Sequence, residues 1–186
     1  MGSIERDWFD PARLFDAGYP SGLTSALRVL PGVRHTVREE IARRGARRIL
    51  EIGPGDAPVC DGIDGALFLD VAPVFLRPFA GRAVIGDLFA APFAPGAFDL
   101  VVASDVLTHI RPPRRAAALE HVAALGRDLI VFNPEPGTGQ VAESPSPTRP
   151  ILDFLAARPY EVTSRKFVAM TPGGEYVMRL VVAGRL

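Results

Sequence analysis

Two glycines separated by one residue follow an apolar run and an acidic residue, in the segment Glu51-Ile52-Gly53-Pro54-Gly55. This spacing suits a turn from a strand toward a helix, in which the backbone closely approaches a bound ligand. Glycine permits the unusual dihedrals of such a turn and carries no side chain that would block the ligand. The segment therefore predicts a ligand-binding loop at the end of a strand.

A nicotinamide or flavin dinucleotide site is the nearest alternative for this loop. Its fingerprint requires a third glycine three residues after the second, where the helix that binds the pyrophosphate begins. Pro58 occupies that position. The sequence therefore does not favour a dinucleotide site.

The elements that must position the loop alternate between strands and helices. Apolar residues fill the segment 98–103 apart from Asp99, which is typical of a strand covered on both faces in a parallel sheet. Two β-rich runs, 160–170 and 175–186, flank a Pro-Gly-Gly turn and predict a closing hairpin. The other predicted strands are 48–52, 66–69, 83–85 and 129–132, and the predicted helices are 73–80, 105–110, 112–125 and 151–157.

This alternation predicts an α/β three-layer sandwich. We expect a mostly parallel seven-stranded sheet with a C-terminal antiparallel hairpin strand and a helical N-terminal arm. Residues 1–47 would be that arm, either packed on the domain or closing over the ligand as a lid, and residues 48–186 would be the domain. Helix breaks are expected at Pro31-Gly32 and at Gly45, and residues 133–150, with five prolines, predict a long irregular loop.

Four segments carry a resemblance to a known family: LEIGPGDA, FLDVAP, GDL and FDLVVASDVLTHI. In this order they resemble the class I, Rossmann-like S-adenosylmethionine-dependent methyltransferases, in particular those that act on small metabolites. The resemblance extends from about Arg48 to the C-terminus. It implies S-adenosyl-L-methionine as the cofactor and S-adenosyl-L-homocysteine as the product.

The resemblance also implies roles for individual residues. Backbone amides at the two glycines would approach the methionine end of the cofactor, and Glu51 would meet its ammonium directly or through water. Asp70 would accept hydrogen bonds from both ribose hydroxyls, and Asp87 would accept one from the adenine amine. The implied cofactor-binding residues are Glu51, Gly53, Gly55, Asp70, Val71, Asp87, Leu88 and Ser104.

The connection between Gly55 and Asp70 departs from the family pattern. The family usually places a helix there, but these residues include Pro58, Gly62 and Gly65 and can hold only one or two helical turns. This predicts either a more open cofactor pocket or a site that no longer transfers methyl groups.

Methyl transfer from a sulfonium requires the two reactants to be held in line, and a general base helps only where the nucleophile must lose a proton. His109 is the candidate base, since a helix over 105–110 would place Asp105 four residues away on the same face. In the alternative interpretation Asp105 caps the helix and His109 is structural. Asn133-Pro134-Glu135 is similar to the motif of amino methyltransferases, but it follows the fifth strand, where that motif has no meaning.

Composition narrows the class of partner. Lys and Arg number 21, as do Asp and Glu, so neither a broad nucleic-acid groove nor an anionic membrane surface is favoured. With Cys60 alone, no intrachain disulfide and no metal site are predicted, and a cytoplasmic protein, monomer or homodimer, is expected. We expect methyl transfer to a small metabolite or natural product. The alternatives are a non-methylating cyclisation, rearrangement or decarboxylation in the same fold, or a non-catalytic partner subunit.

Overall fold

The structure is a computed structural model that describes residues 30–135, 148–171 and 174–186. These residues form seven strands: β1 (Ile49–Ile52), β2 (Ala66–Asp70), β3 (Ala83–Ile85), β4 (Phe98–Ser104), β5 (Gly126–Glu135), β6 (Tyr160–Thr171) and β7 (Gly174–Arg185). The α-helices are α1 (Pro31–Arg44), α2 (Pro73–Leu76), α3 (Arg115–Leu125) and α4 (Thr148–Ala156). Short 3-10 helices lie at Arg77–Phe79, Leu88–Ala90, Leu107–His109 and Pro112–Arg114. None of these helices is long and apolar enough to cross a membrane.

One sheet with the strand order β3-β2-β1-β4-β5-β7-β6 contains all seven strands. The first five strands pair in parallel, and β7 pairs antiparallel with both β5 and β6. The expected mostly parallel sheet with a C-terminal antiparallel hairpin is therefore confirmed. The chain runs outward from β1 to β3 and then returns to β4 on the other side of β1. Ligands bind at such a reversal, beyond the carboxyl ends of the strands.

Helix α1 belongs to the layered core. Proline is tolerated in the first turn of a helix, so Pro31 begins α1 where the sequence predicted a break. The predicted stop at Gly45 is confirmed, because Gly45 ends the helix with a left-handed φ of 60°. Val33, Val37 and Ile41 are buried against the sheet.

Two apolar clusters cover the two faces of the sheet. On one face, α1 and the 3-10 helix after α2 pack against strand residues such as Phe68 and Ile130. On the other face, α3 and α4 pack against residues such as Leu50 and Val101. The predicted three-layer arrangement follows from this alternation of buried residues along the strands.

Part of the predicted N-terminal arm and part of the predicted loop lie outside the described residues. These are residues 1–29, with the interpretation as arm or lid, and residues 136–147. At the borders of that loop, residues 133–135 extend β5 and residues 148–150 begin α4. The predicted boundary between residues 47 and 48 stays a prediction.

A cluster of hydrogen bonds at the amino end of β4 fixes β4 beside β1. Asp99 Oδ1 accepts hydrogen bonds from Arg48 Nη2 at 2.8 Å and Nε at 3.2 Å. Asp99 Oδ2 accepts the backbone N–H groups of Arg47 at 3.1 Å and Arg48 at 3.0 Å. The hydrogen bond from the Arg48 side chain is the main reason that the pKa of Asp99 is lowered to about 2.

We expect Asp99→Asn to lower the free energy of unfolding by up to about 1 kcal/mol at pH 7. Because folding lowers the pKa of Asp99 from 3.8 to about 2, this stabilisation is fully present above the unfolded value and is lost as pH falls through about 2. Urea unfolding between pH 7 and pH 2 measures it. Asp153→Asn, which removes an exposed partner of Arg149 on α4, should change little. A difference between wild type and Asp99→Asn that does not shrink in acid would contradict the assignment.

Candidate functional site

The loop after β1 has the backbone conformation that the two glycines predict. Gly53 and Gly55 have φ angles of 67° and 55°, which are strained for other residues. The Gly53 N–H donates to the Leu69 carbonyl at 2.9 Å, which ties the loop to β2. A Cβ atom at Gly53 would lie 3.2 Å from Val106 Cβ. The loop therefore passes close to the turn after β4, where only a residue without a side chain fits comfortably.

The connection from Gly55 to β2 contains turns and no helix, which is less than the one or two helical turns that the sequence allows. Ala57, Val59 and Cys60 are nevertheless buried in the cluster that also contains α1. Arg38 of α1 holds this connection, since its Nε donates to the Val59 carbonyl at 2.9 Å and its Nη2 donates to the Asp61 carbonyl. An irregular segment thus closes the core at the place where the family usually has a helix.

Glu51 is fully buried, and its carboxylate binds three donors of the polypeptide. Oε1 accepts the Val59 N–H at 2.9 Å and the Ser104 hydroxyl at 2.8 Å, and Oε2 accepts the Cys60 N–H at 2.8 Å. Burial raises the pKa of Glu51, and the hydrogen bonds partly oppose that shift. Glu51 therefore joins the irregular connection to the end of β4, whereas its contact with a cofactor ammonium stays a prediction.

Asp70 and Asp87 lie at the carboxyl ends of the neighbouring strands β2 and β3. The Asp70 carboxylate is half-buried and accepts the Ala72 N–H at 2.9 Å. Burial raises the pKa of Asp70, and hydrogen bonds from backbone N–H groups, including that of Gly55, oppose the shift. Asp87 is exposed, and its Oδ1 accepts the Phe89 N–H at 3.0 Å, which caps the 3-10 helix at Leu88–Ala90. Asp70 thus lies against the glycine loop, and Asp87 lies one strand further along the same edge of the sheet.

The turn after β4 differs from the predicted helix over 105–110. Asp105 has a left-handed φ of 54°, and only Leu107–His109 is helical, as a 3-10 turn. The prediction that an α-helix places Asp105 and His109 four residues apart on one face is therefore wrong. His109 still interacts electrostatically with two carboxyls, those of Asp105 and Asp70. Burial raises the pKa of each carboxyl, and the interaction with His109 opposes this rise in both.

Arg115 supports this turn, and the sequence analysis did not identify it. It is 4% exposed, and its guanidinium donates to the Ile110 carbonyl at 2.9 Å and to the Thr108 carbonyl at 3.4 Å. Its position, four and seven residues before the buried Leu119 and Val122, places a cation on the apolar stripe of α3. A charged residue at helical spacing within an apolar stripe was the available signal.

A cleft of about 470 Å³ lies between the irregular connection and α2. Its volume falls within the range of small-molecule sites. One wall is backbone and proline of the connection, and the other is apolar and aromatic. The lining residues are Gly55, Asp56, Pro58, Val74, Phe75, Pro78 and Phe79.

No protein-family model and no curated protein sequence matches this chain. Solved structures with bound S-adenosylmethionine or its product do match its fold. Magnesium protoporphyrin IX methyltransferase (ChlM) from Synechocystis PCC 6803, solved with bound S-adenosylmethionine, has a TM-score of 0.63 at 17% identity, and the match covers 99% of this chain and 100% of that one. The 1,6-didemethyltoxoflavin N1-methyltransferase of Burkholderia thailandensis, solved with its substrate and S-adenosylhomocysteine, has a TM-score of 0.58 at 15% identity, covering 91% of this chain and 94% of that one.

The 4+2 cyclase SpnF has the same fold and a different activity. It matches with a TM-score of 0.63 at 13% identity, covering 91% of this chain and 86% of that one. The chain therefore has the Rossmann-like fold of class I S-adenosylmethionine-dependent methyltransferases. At these identities the likeness shows the fold, and the reaction must be argued from the site.

We expect Glu51→Gln to loosen the connection between Gly55 and Asp70. A glutamine amide nitrogen would face a backbone N–H group, so either Val59 or Cys60 loses its acceptor, at a cost of about 1–3 kcal/mol. Amide hydrogen exchange of these two residues should accelerate. Ser104→Ala is the matched control, because it removes the third donor and leaves both amides bonded. Unchanged exchange at Val59 and Cys60 in Glu51→Gln would refute the anchoring role.

Proposed function

We propose that the protein transfers a methyl group from S-adenosylmethionine to a small metabolite or natural product. One observation carries the proposal: a glycine loop with left-handed φ angles at Gly53 and Gly55 lies against the Asp70 carboxylate, with Asp87 at the end of the next strand. Its position at the reversal between β1 and β4 is where this fold binds ligands. The fold shared with ChlM and with the Burkholderia thailandensis methyltransferase supports the proposal.

The residues at this edge of the sheet suit the parts of the proposed cofactor. We assign the loop of Gly53 and Gly55 to the methionine end, and Ser104 lies beside Gly53 at the end of β4. A carboxylate accepts and never donates, which suits Asp70 to a ribose diol and Asp87 to an amine. Val71 and Leu88 directly follow these acids in the chain and complete the proposed cofactor-binding set. When bound, the cofactor supplies an electrophilic methyl group on a sulfonium.

The chain's own contribution to the reaction is chiefly to orient the reactants and exclude water. We assign His109 as the base that takes a proton from the methyl acceptor, where the acceptor carries one. Asp105, whose charge interacts with that of His109, would orient the imidazole. A structural role for His109 is the alternative, and the two roles predict different effects on turnover when His109 is replaced.

A non-methylating reaction is the second candidate function. The connection without a helix after Gly55 favours it, because it leaves an apolar cleft beside the cofactor loop. The cyclase SpnF shows that this fold also supports such chemistry in another protein. Turnover of a substrate without transfer of labelled methyl would favour this candidate.

We expect calorimetric titration to show one bound S-adenosylmethionine and one bound S-adenosylhomocysteine per chain. Asp70→Asn should weaken both about tenfold or more, since it removes a charged acceptor worth about 1.5–3 kcal/mol. Asp64→Asn removes an exposed carboxylate from the same connection and should leave affinity unchanged. Melting curves check that each variant folds. No binding of either compound at millimolar concentration would reject the proposed cofactor.

For the proposed base, we expect His109→Ala to lower turnover about 10²- to 10⁴-fold and to change cofactor affinity little. A labelled-methyl assay over a panel of hydroxyl and amine metabolites measures turnover. His35→Ala provides the control, because His35 lies on the exposed side of α1 beside Glu39. Turnover of His109→Ala equal to that of wild type would remove His109 from the mechanism.

A further inference from the structure

Asn133 is a buried polar side chain that the cofactor site does not use. It is 1% exposed, and its Oδ1 makes no hydrogen bond within the part of the chain that the structure describes. A buried carbonyl oxygen without a donor costs about 1–3 kcal/mol. Such a group in a folded protein calls for an explanation.

The position of Asn133 links it to the reactive end of the site. It follows Phe132, which pairs with Ser104 at the end of β4. The Asp105 N–H donates to the Phe132 carbonyl at 2.9 Å, so Asn133 lies directly beside the turn that carries His109. Alternation along β5 places Asn133 on the same face as Val131 and Leu129, which α3 and α4 cover.

The cation opposite Asn133 on β7 is already engaged by a carboxylate. Arg179 pairs with Asn133 across β5 and β7. Its Nε and Nη2 donate to the two oxygens of Glu135 at 3.2 and 3.1 Å. The ion pair is neutral as a whole, so the surroundings of Asn133 Oδ1 suit a neutral donor better than an anion or a cation.

We propose that Asn133 determines acceptor specificity, by accepting a hydrogen bond from a neutral hydroxyl or amino group of the bound substrate. The inference rests on the proposed function and narrows its substrate class to molecules that present such a donor beside the reacting atom. A site with a buried acceptor rejects analogues without the donor strongly, because the acceptor is then left unpaired.

Two variants test whether Oδ1 lacks a structural partner. Asn133→Leu keeps the branching and the number of heavy atoms of the side chain and removes the orphan oxygen, so its melting temperature should equal or exceed that of wild type. Thr148→Val is the matched control, since Thr148 is buried at the start of α4 and does have a partner. It should melt about 2–4 °C lower. If Asn133→Leu and the smaller, polar Asn133→Ser both melt well below wild type, Asn133 is structural and the proposal fails.

The recognition itself is tested with phenol, which carries a donor, and anisole, its methyl ether. The ¹⁵N side-chain amide signal of Asn133, assigned by its loss in Asn133→Leu, is followed with and without S-adenosylhomocysteine. Phenol should shift the signal and anisole should not. Equal shifts, or none with either probe, would overturn the proposal. The same samples report whether S-adenosylhomocysteine binds, so loss of the cofactor assignment is distinguishable from failure of the Asn133 assignment.

Discussion

The buried carboxylate of Glu51 is the interaction on which the arrangement of this site depends. A carboxylate removed from water is costly unless donors satisfy it. Here Val59, Cys60 and Ser104 supply those donors, from two segments that are far apart in sequence. The same bonds give two backbone N–H groups of an irregular buried segment an acceptor that a helix would otherwise provide. The buried carboxylate and the N–H groups of the irregular segment therefore supply each other's hydrogen-bond partners.

This arrangement explains how the fold accommodates a connection without a helix. Apolar residues of the connection, among them Ala57 and Val59, fill the core in place of a helix face. Arg38 donates hydrogen bonds to two carbonyl groups that such a segment would otherwise leave unpaired. Between the connection and α2, a cleft lies against Gly55. The shortened connection thus changes the surface of the cofactor edge without changing the strand order.

The sequence predicted the strands more reliably than the turns and the roles of individual acids. Apolar runs bounded by glycine and proline placed the inner strands, because burial on both faces leaves a local pattern, and the Pro-Gly-Gly turn placed the closing hairpin. Strand β5 is longer than predicted, because the polar residues Asp128 and Asn133 interrupt its apolar run. Asp128 is buried because it forms an ion pair at 2.6 Å with Arg44, which lies 84 positions away in the sequence. The partners of Glu51 are long-range features that no local pattern reveals, whereas Arg115 stands at helical spacing within the apolar stripe of α3.

The turn after β4 shows why local rules failed where the chemistry is proposed. A left-handed φ is unfavourable for an aspartate, although aspartate tolerates it better than most residues. Contacts on several sides hold it: Phe132 accepts the Asp105 N–H, Thr108 donates to the Asp105 carboxylate at 2.6 Å, and Arg115 binds the carbonyls that follow. Strain that is fixed from several directions is common at functional sites.

Because this turn carries His109 toward Asp70 and lies beside Asn133, its conformation would set the geometry of both the proposed cofactor end and the proposed acceptor end. The proposed cofactor edge consists of backbone and carboxylates that a sequence motif can predict. The proposed acceptor side would depend on this one turn, which only the folded structure defines.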